Sequence, residues 1–155
     1  ANYNCPGQVV IAGENKAIEK AIEIAKELGG KGVPLNVSGP FHSSLLEGAS
    51  NDFYETIKKV EINPLNKTVY SNVKGLPYYE NDDIRMLLKN HIRSSVYFEK
   101  SIRDMIDKGV NIFIEVGPGK ALRGFVKKID KNATLLNVEN LASLKATIDK
   151  LNESN

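Results

Sequence analysis

Asn111–Val116 (NIFIEV) is a near-continuous apolar run of strand length, closed off by Gly109 before it and by Gly117-Pro118-Gly119 after it. A short, branched, apolar stretch of this kind is what a strand buried on both faces looks like, and such strands belong to sheets covered by helices. Its neighbours fit. Lys120–Lys128 carries helical spacing, Thr134–Val138 is a further strand, and Leu141–Leu151 is a last amphipathic helix.

The upstream part of the chain continues the alternation. Gln8–Ala12 (QVVIA) follows Pro6-Gly7 and predicts a strand ended by Gly13. From Glu14 to Leu28 the apolar residues Ala17, Ile18, Ala21, Ile22, Ala25 and Leu28 form one helical face, stopped by Gly29-Gly30. Val33–Val37 predicts a second strand. Ser43 or Ser44 then caps a helix running toward Lys59, broken or bent near Gly48. Lys67–Asn72 predicts a third strand and Gly75-Leu76-Pro77 a turn. Helices follow from about Asp82 to His91 and from about Phe98 to Lys108, separated at Ser94 and Ser95. Strands alternating with helices of these lengths predict an α/β architecture with a mostly parallel sheet.

Composition excludes several functions. The 155 residues are 41% hydrophobic and 26% charged, with 21 basic and 19 acidic residues mixed along the chain. There is no basic stripe of the kind that tracks nucleic acid. No stretch approaches the roughly 20 apolar residues of a membrane span, and no secretory leader is expected. The single cysteine, Cys5, rules out an internal disulfide and fits a reducing, cytoplasmic setting. Two histidines and one cysteine, widely spread, match no metal-ligand spacing. The first residues lack an initiator Met, so the chain is expected to begin inside a domain.

Val37-Ser38-Gly39-Pro40-Phe41-His42-Ser43 is the stretch with chemistry in it. It sets one of the two histidines on a tight Gly-Pro turn between a predicted strand and a predicted helix. Such a turn lifts an imidazole out of the sheet, where it can act as a general base. The bland alternative is a structural histidine satisfied by turn carbonyls. No serine or cysteine sits on a Gly-x-Ser-x-Gly nucleophile turn, so the chain carries the base half of a site without the nucleophile half. Gly117-Pro118-Gly119-Lys120 opens a helix after a strand, but Ala121 follows the lysine where a phosphate loop needs Ser or Thr. It reads as a tight turn lining a cleft.

Three separated motifs carry a resemblance: Asn4-x-Pro6-Gly7-Gln8-x-Val10-Ile11-x-Gly13, then Pro34-Leu35-x-Val37-Ser38-Gly39-Pro40-Phe41-His42-Ser43, then Glu115-Val116-Gly117-Pro118-Gly119-Lys120-x-Leu122. In this order they resemble the malonyl-CoA:acyl-carrier-protein transacylases of fatty-acid synthesis, over essentially the whole chain, which is similar to the C-terminal half of such an enzyme. The resemblance implies an α/β-hydrolase-like large subdomain with a ferredoxin-like small one inserted. Residues 1–36 would be the second part of the small subdomain, and residues 37–155 the C-terminal part of the large one. The family's catalytic serine and its carboxylate-gripping arginine both lie upstream of the residues seen here.

The implied reaction is acyl transfer from malonyl-CoA to acyl carrier protein through a serine ester, with no cofactor beyond the phosphopantetheine of the carrier. His42 matches the family's general base. The family orients that base with a backbone carbonyl, at a position most often glutamine, and alignment of Ser94-Ser95-Val96-Tyr97-Phe98 puts His91 there. Ser95 also stands where proline is common. The His91 ring is either a second titrating group near the site or a solvated helix-end residue favoured by the macrodipole. Phe41 matches a position where an aromatic ring goes with unbranched malonyl units. Asn4 and Gln8 match positions near the CoA or pantetheine path, although Asn4 equally suits a turn. Cys5 is expected to be an inert small residue.

Two alternatives stand beside this reading: a non-catalytic α/β module binding CoA or a carrier protein, and the acyltransferase of a polyketide pathway. An uncovered small subdomain leaves a sheet edge and apolar faces open. The isolated chain is therefore expected to associate or to co-purify with the missing N-terminal half of the enzyme.

Overall fold

A computed structural model describes residues 1–153. The chain opens with a hairpin, β1 (Asn2–Cys5) and β2 (Gln8–Val10), followed by helix α1 (Asn15–Glu27). A long irregular segment leads to a 3-10 turn at Ser44–Leu46 and helix α2 (Glu47–Ile57). A second hairpin, β3 (Tyr70–Ser71) and β4 (Leu76–Pro77), precedes helices α3 (Ile84–Arg93) and α4 (Phe98–Asp107). The chain closes with β5 (Ile112–Val116), α5 (Ala121–Ile129), β6 (Thr134–Val138) and α6 (Leu141–Glu153).

The strand–helix–strand–helix unit at the end forms where the local pattern predicts it. β5 and β6 run parallel in register from Ile112↔Thr134 to Val116↔Val138. The α5 start is held by Glu115, whose carboxylate accepts from the backbone N–H groups of Leu122 (3.2 Å) and Arg123 (2.8 Å). These are orphan donors of the first helical turn, and a negative group there also suits the helix dipole. The core lies where α4 and α5 pack against β1: Ile102, Val126 and Cys5 are buried together in that layer.

Several expectations are corrected. The sheet is not mostly parallel. Among the described residues there are three two-stranded pairings, of which only β5·β6 is parallel. β1 pairs antiparallel with β2, although Asn2–Cys5 (NYNC) has no strand signature, because Pro6-Gly7 folds it back onto β2. Residues 33–37 form no strand. Val33, Leu35 and Val37 alternate as strand residues do, yet they are 61%, 57% and 62% exposed. A strand exists only with a neighbour to share its hydrogen bonds, and no described strand pairs with this segment. The predicted strand 67–72 shrinks to Tyr70–Ser71, and Leu76–Pro77 is its partner rather than part of the turn. β5 is not covered on both faces either, since Val116 is 78% exposed.

What positions the site is the segment 91–97, where several elements meet. Tyr3 N–H donates to the Val96 carbonyl (2.9 Å) and Val96 N–H to the Ala1 carbonyl (2.8 Å), which ties β1 to the α3–α4 connection. The Tyr3 and Tyr97 rings stack with centroids 5.2 Å apart. Tyr97 N–H donates to the Asn72 carbonyl (2.9 Å), tying in the second hairpin. α2 packs on α3 at Ser50, which is fully buried and donates its hydroxyl to the Lys89 carbonyl (2.7 Å). The Arg93–Glu47 ion pair joins the same two helices.

Candidate active site

His42 sits immediately before the turn into α2, with φ of 59°, in the left-handed region. For a residue with a Cβ this conformation costs about 1–2 kcal/mol and needs support from its surroundings. The support is the C-terminus of α3. A helix leaves its last carbonyls without intrahelical partners. Two of them accept from His42: the Ile92 carbonyl takes its backbone N–H (3.2 Å) and the His91 carbonyl takes its ring Nδ1 (3.0 Å). A carbonyl can only accept, so Nδ1 carries the proton and Nε2 carries the lone pair. Among the described residues no hydrogen bond is formed at Nε2 and no hydroxyl or thiol reaches it. Ser43 donates instead to the Pro40 carbonyl (2.6 Å), which closes the turn. His42 is half-buried rather than packed away.

The His91 ring is not a solvated helix end. It is half-buried, with Nε2 facing the Tyr78 hydroxyl (3.2 Å) and the Ser71 hydroxyl (3.4 Å) of the β3–β4 hairpin. Burial first, and the neighbouring His42 second, hold its pKa below the usual 6.5. Burial penalises the charged imidazolium, and a like charge nearby adds to that. The site therefore contains a second imidazole, held toward its neutral form, beside the first. Sequence reasoning located this residue through its carbonyl; the two hydroxyls around its ring lie 13 and 20 positions earlier, beyond the reach of helical spacing, and gave no signal.

The other residues named from sequence are distributed around this centre. Phe41 is 52% exposed, its ring folded back beside Gly39, where a Cβ would meet the ring at 3.6 Å. Asn4 lies half-buried on β1 and Gln8 on β2. The Gln8 side-chain oxygen Oε1 accepts from Lys128 Nζ (3.4 Å) and lies 3.8 Å from the buried Cys5 thiol. No hydrogen bond among the described residues joins Asn4 or Gln8 to His42. Two concavities exist elsewhere: an apolar one of about 210 Å³ between α4, β5 and α5, and an open cleft of about 1100 Å³ walled by residues 62–68 and 77–80. Neither is lined by His42, Phe41, Asn4 or Gln8.

The glycine turn after β5 is no phosphate loop. Within the turn, Gly117 N–H donates to the Val138 carbonyl (2.9 Å) and Gly119 N–H to the Glu139 carboxylate (3.1 Å), and the first amides of α5, those of Leu122 and Arg123, are taken by Glu115. Gly117 and Gly119, at φ of 135° and 88°, take conformations that side chains resist. Among the described residues no three His, Cys, Asp or Glu side chains are grouped to hold a metal. No described helix is long and apolar enough to cross a membrane.

No family model matches the chain. Individual proteins do. The malonyl CoA-acyl carrier protein transacylase of Bacillus subtilis is 42% identical over 156 residues, covering 100% of this chain and 49% of the relative. The crystal structure of malonyl CoA-acyl carrier protein transacylase from Clostridium perfringens matches with a TM-score of 0.97 at 53% identity, over 99% of this chain and 49% of that one. A solved complex of a type II PKS acyl-carrier protein with its malonyl-transacylase matches with a TM-score of 0.92 at 30% identity, over 97% of this chain and 49% of the other. The chain thus spans about half the length of the curated relatives it matches. Agreement this close along the whole chain, in residues and in backbone alike, makes it a member of the malonyl CoA-acyl carrier protein transacylase family.

Proposed function

We propose that this chain is the C-terminal, base-bearing half of an enzyme that moves a malonyl group from CoA to acyl carrier protein, with His42 as general base. The observation that carries the reading is the clamp on His42. Its Nδ1 proton is committed to the His91 carbonyl at 3.0 Å, which leaves Nε2 as the basic nitrogen. A serine supplied by the remaining half would lose its proton to Nε2 as its oxygen attacks the thioester carbonyl. Collapse of the tetrahedral intermediate breaks the C–S bond, and His42 returns the proton to the departing CoA sulfur. The carrier's pantetheine thiol then loses its proton to His42, attacks the serine ester, and releases the serine oxygen, which takes that proton back. The His91 carbonyl holds the ring in one tautomer throughout, and the negative end of α3 faces the charge that the ring transiently gains.

Phe41 directly precedes the base in the chain, and a ring this bulky leaves little room for an α-methyl group, which favours malonyl over branched units. Asn4 and Gln8 offer amides to the polar pantetheine arm. Acyl carrier protein as partner is supported by the solved complex of a related malonyl-transacylase with a carrier. Residues 1–36 belong to a ferredoxin-like small subdomain and residues 37–155 to an α/β-hydrolase-like one. Two observations support incompleteness of the first: none of the 13 residues of α1 is buried, and 33–37 has strand pattern without a strand partner. The enzyme works in the cytoplasm and needs no cofactor of its own.

The experiment combines this chain with the remaining half of the transacylase, adds malonyl-CoA and phosphopantetheinylated carrier, and follows malonyl-carrier formation. The expected result is transfer by the complete protein and none by this chain alone. A chain that binds CoA or carrier, but yields no transfer when completed, would be the non-catalytic module instead.

A further inference from the structure

We propose that the His91 imidazole is a positioning residue for the base: pinned by Tyr78 and Ser71, it fixes the carbonyl that orients the His42 ring. The inference rests on the reading of His42 as the base and adds a residue that acts through it.

The last turn of a helix frays unless its end is tied down. His91 lies in the last turn of α3, so the placement of its carbonyl depends on what holds that turn. The ring supplies such a tether. Its Nε2 meets the Tyr78 hydroxyl at 3.2 Å and the Ser71 hydroxyl at 3.4 Å. Both hydroxyls are held by one small ladder. Ser71 is fully buried and pairs with Leu76, and Tyr78 N–H donates to the Val69 carbonyl at 2.9 Å. A hydroxyl can donate or accept, so either tautomer of a neutral His91 finds a match there.

One residue therefore joins two structures. Through its side chain His91 is fixed to the β3–β4 hairpin, and through its backbone it holds His42 Nδ1 at 3.0 Å. Loosening the ring lets the carbonyl move. The His42 ring then samples the other tautomer, in which Nε2 carries the proton and cannot accept one. The expected consequence is a smaller fraction of competent base with unaltered substrate binding.

The test uses the full-length transacylase carrying this chain, with Tyr78→Phe, Ser71→Ala, His91→Ala, His91→Gln and His42→Ala variants. Malonyl transfer gives kcat and KM for malonyl-CoA, and ring ¹⁵N shifts give the His42 tautomer. Tyr78→Phe and His91→Ala should lower kcat about 2- to 10-fold, the rate equivalent of one neutral hydrogen bond, with KM unchanged. The His42 spectrum should pass from one Nδ1–H tautomer to a mixture. His91→Gln should recover most of the rate, because an amide can also bond both hydroxyls. If His91→Ala does not fold, Tyr78→Phe and Ser71→Ala decide the matter alone. Unchanged kcat with an unchanged Nδ1–H spectrum in the folded variants overturns the inference. Full activity of His42→Ala overturns the base assignment instead, and the tautomer spectrum then still decides whether His91 positions the ring.

Discussion

His42 Nδ1 lies 3.0 Å from the carbonyl oxygen of His91, 49 positions further along the chain. The next carbonyl, that of Ile92, accepts the His42 backbone N–H at 3.2 Å. Two acceptors that a helix end leaves unpaired thus hold both the backbone and the ring of one strained residue. The same pair of bonds selects the ring tautomer and offsets the cost of a left-handed histidine.

The His91 ring titrates below the usual 6.5, chiefly from burial and secondly from His42. Its NMR titration midpoint should therefore fall below 6.5, and His42→Ala should raise it without restoring it fully, since burial remains. The sign for stability follows. The unfolded ring takes its proton near 6.5 and the folded ring only at lower pH, so the folded form loses stability as pH falls from about 6.5 toward the depressed value. Above 6.5 that contribution is intact. Denaturation midpoints for His91→Gln should lack this acid-side slope.

Left-handed backbone at position 42 predicts an unusual order of variants. His42→Gly should be more stable than His42→Ala by about 1 kcal/mol, because glycine enters this conformation without the Cβ penalty. Urea unfolding of the two variants checks this, and the reverse order would mean that the turn relaxes when the ring is lost.

Ser50 sets the spacing of α2 on α3, and so the placement of the His42 turn that feeds α2. Ser50→Leu should destabilise by about 1–3 kcal/mol through overpacking and lower transfer activity, although Ser50 touches no substrate. Thermal melting paired with the transfer assay reads both.

The alternating residues Val33, Leu35 and Val37 are exposed and belong to no strand pair. Amide hydrogen exchange over 33–37 should be fast in this chain alone and slow by at least about tenfold when the remaining half is bound, as backbone groups enter a ladder. Exchange that does not change would place this segment outside the contact between the halves.

How legible these features were in sequence depended on how local their causes are. α1, α4, β5, α5, β6 and α6 lie within a residue or two of their expected positions, because periodicity and glycine stops act over a few residues. β1 was missed because Asn2–Cys5 becomes a strand only through its partners, β2 and Val96. The strand expected at 33–37 fails for the same reason with opposite sign: its pattern is right and its partner is not there to pair with. At the site, the Gly-Pro turn made His42 visible, and the resemblance brought in the His91 carbonyl. The left-handed backbone at His42 and the hydroxyls of Tyr78 and Ser71 depend on contacts across α3 and the second hairpin. The roles of Glu139 at the Gly119 amide and of Glu115 at the first amides of α5 were equally invisible, since they compete with a phosphate only once the chain is folded.

The account stands or falls on His42 as a proton carrier. Rapid-quench measurement of malonyl-serine ester formation in the complete enzyme tests this most directly, with wild type and His42→Ala mixed against malonyl-CoA. The account predicts that ester formation slows by about 10²- to 10⁴-fold in the variant while malonyl-CoA still binds. Ester formation at the wild-type rate would contradict it.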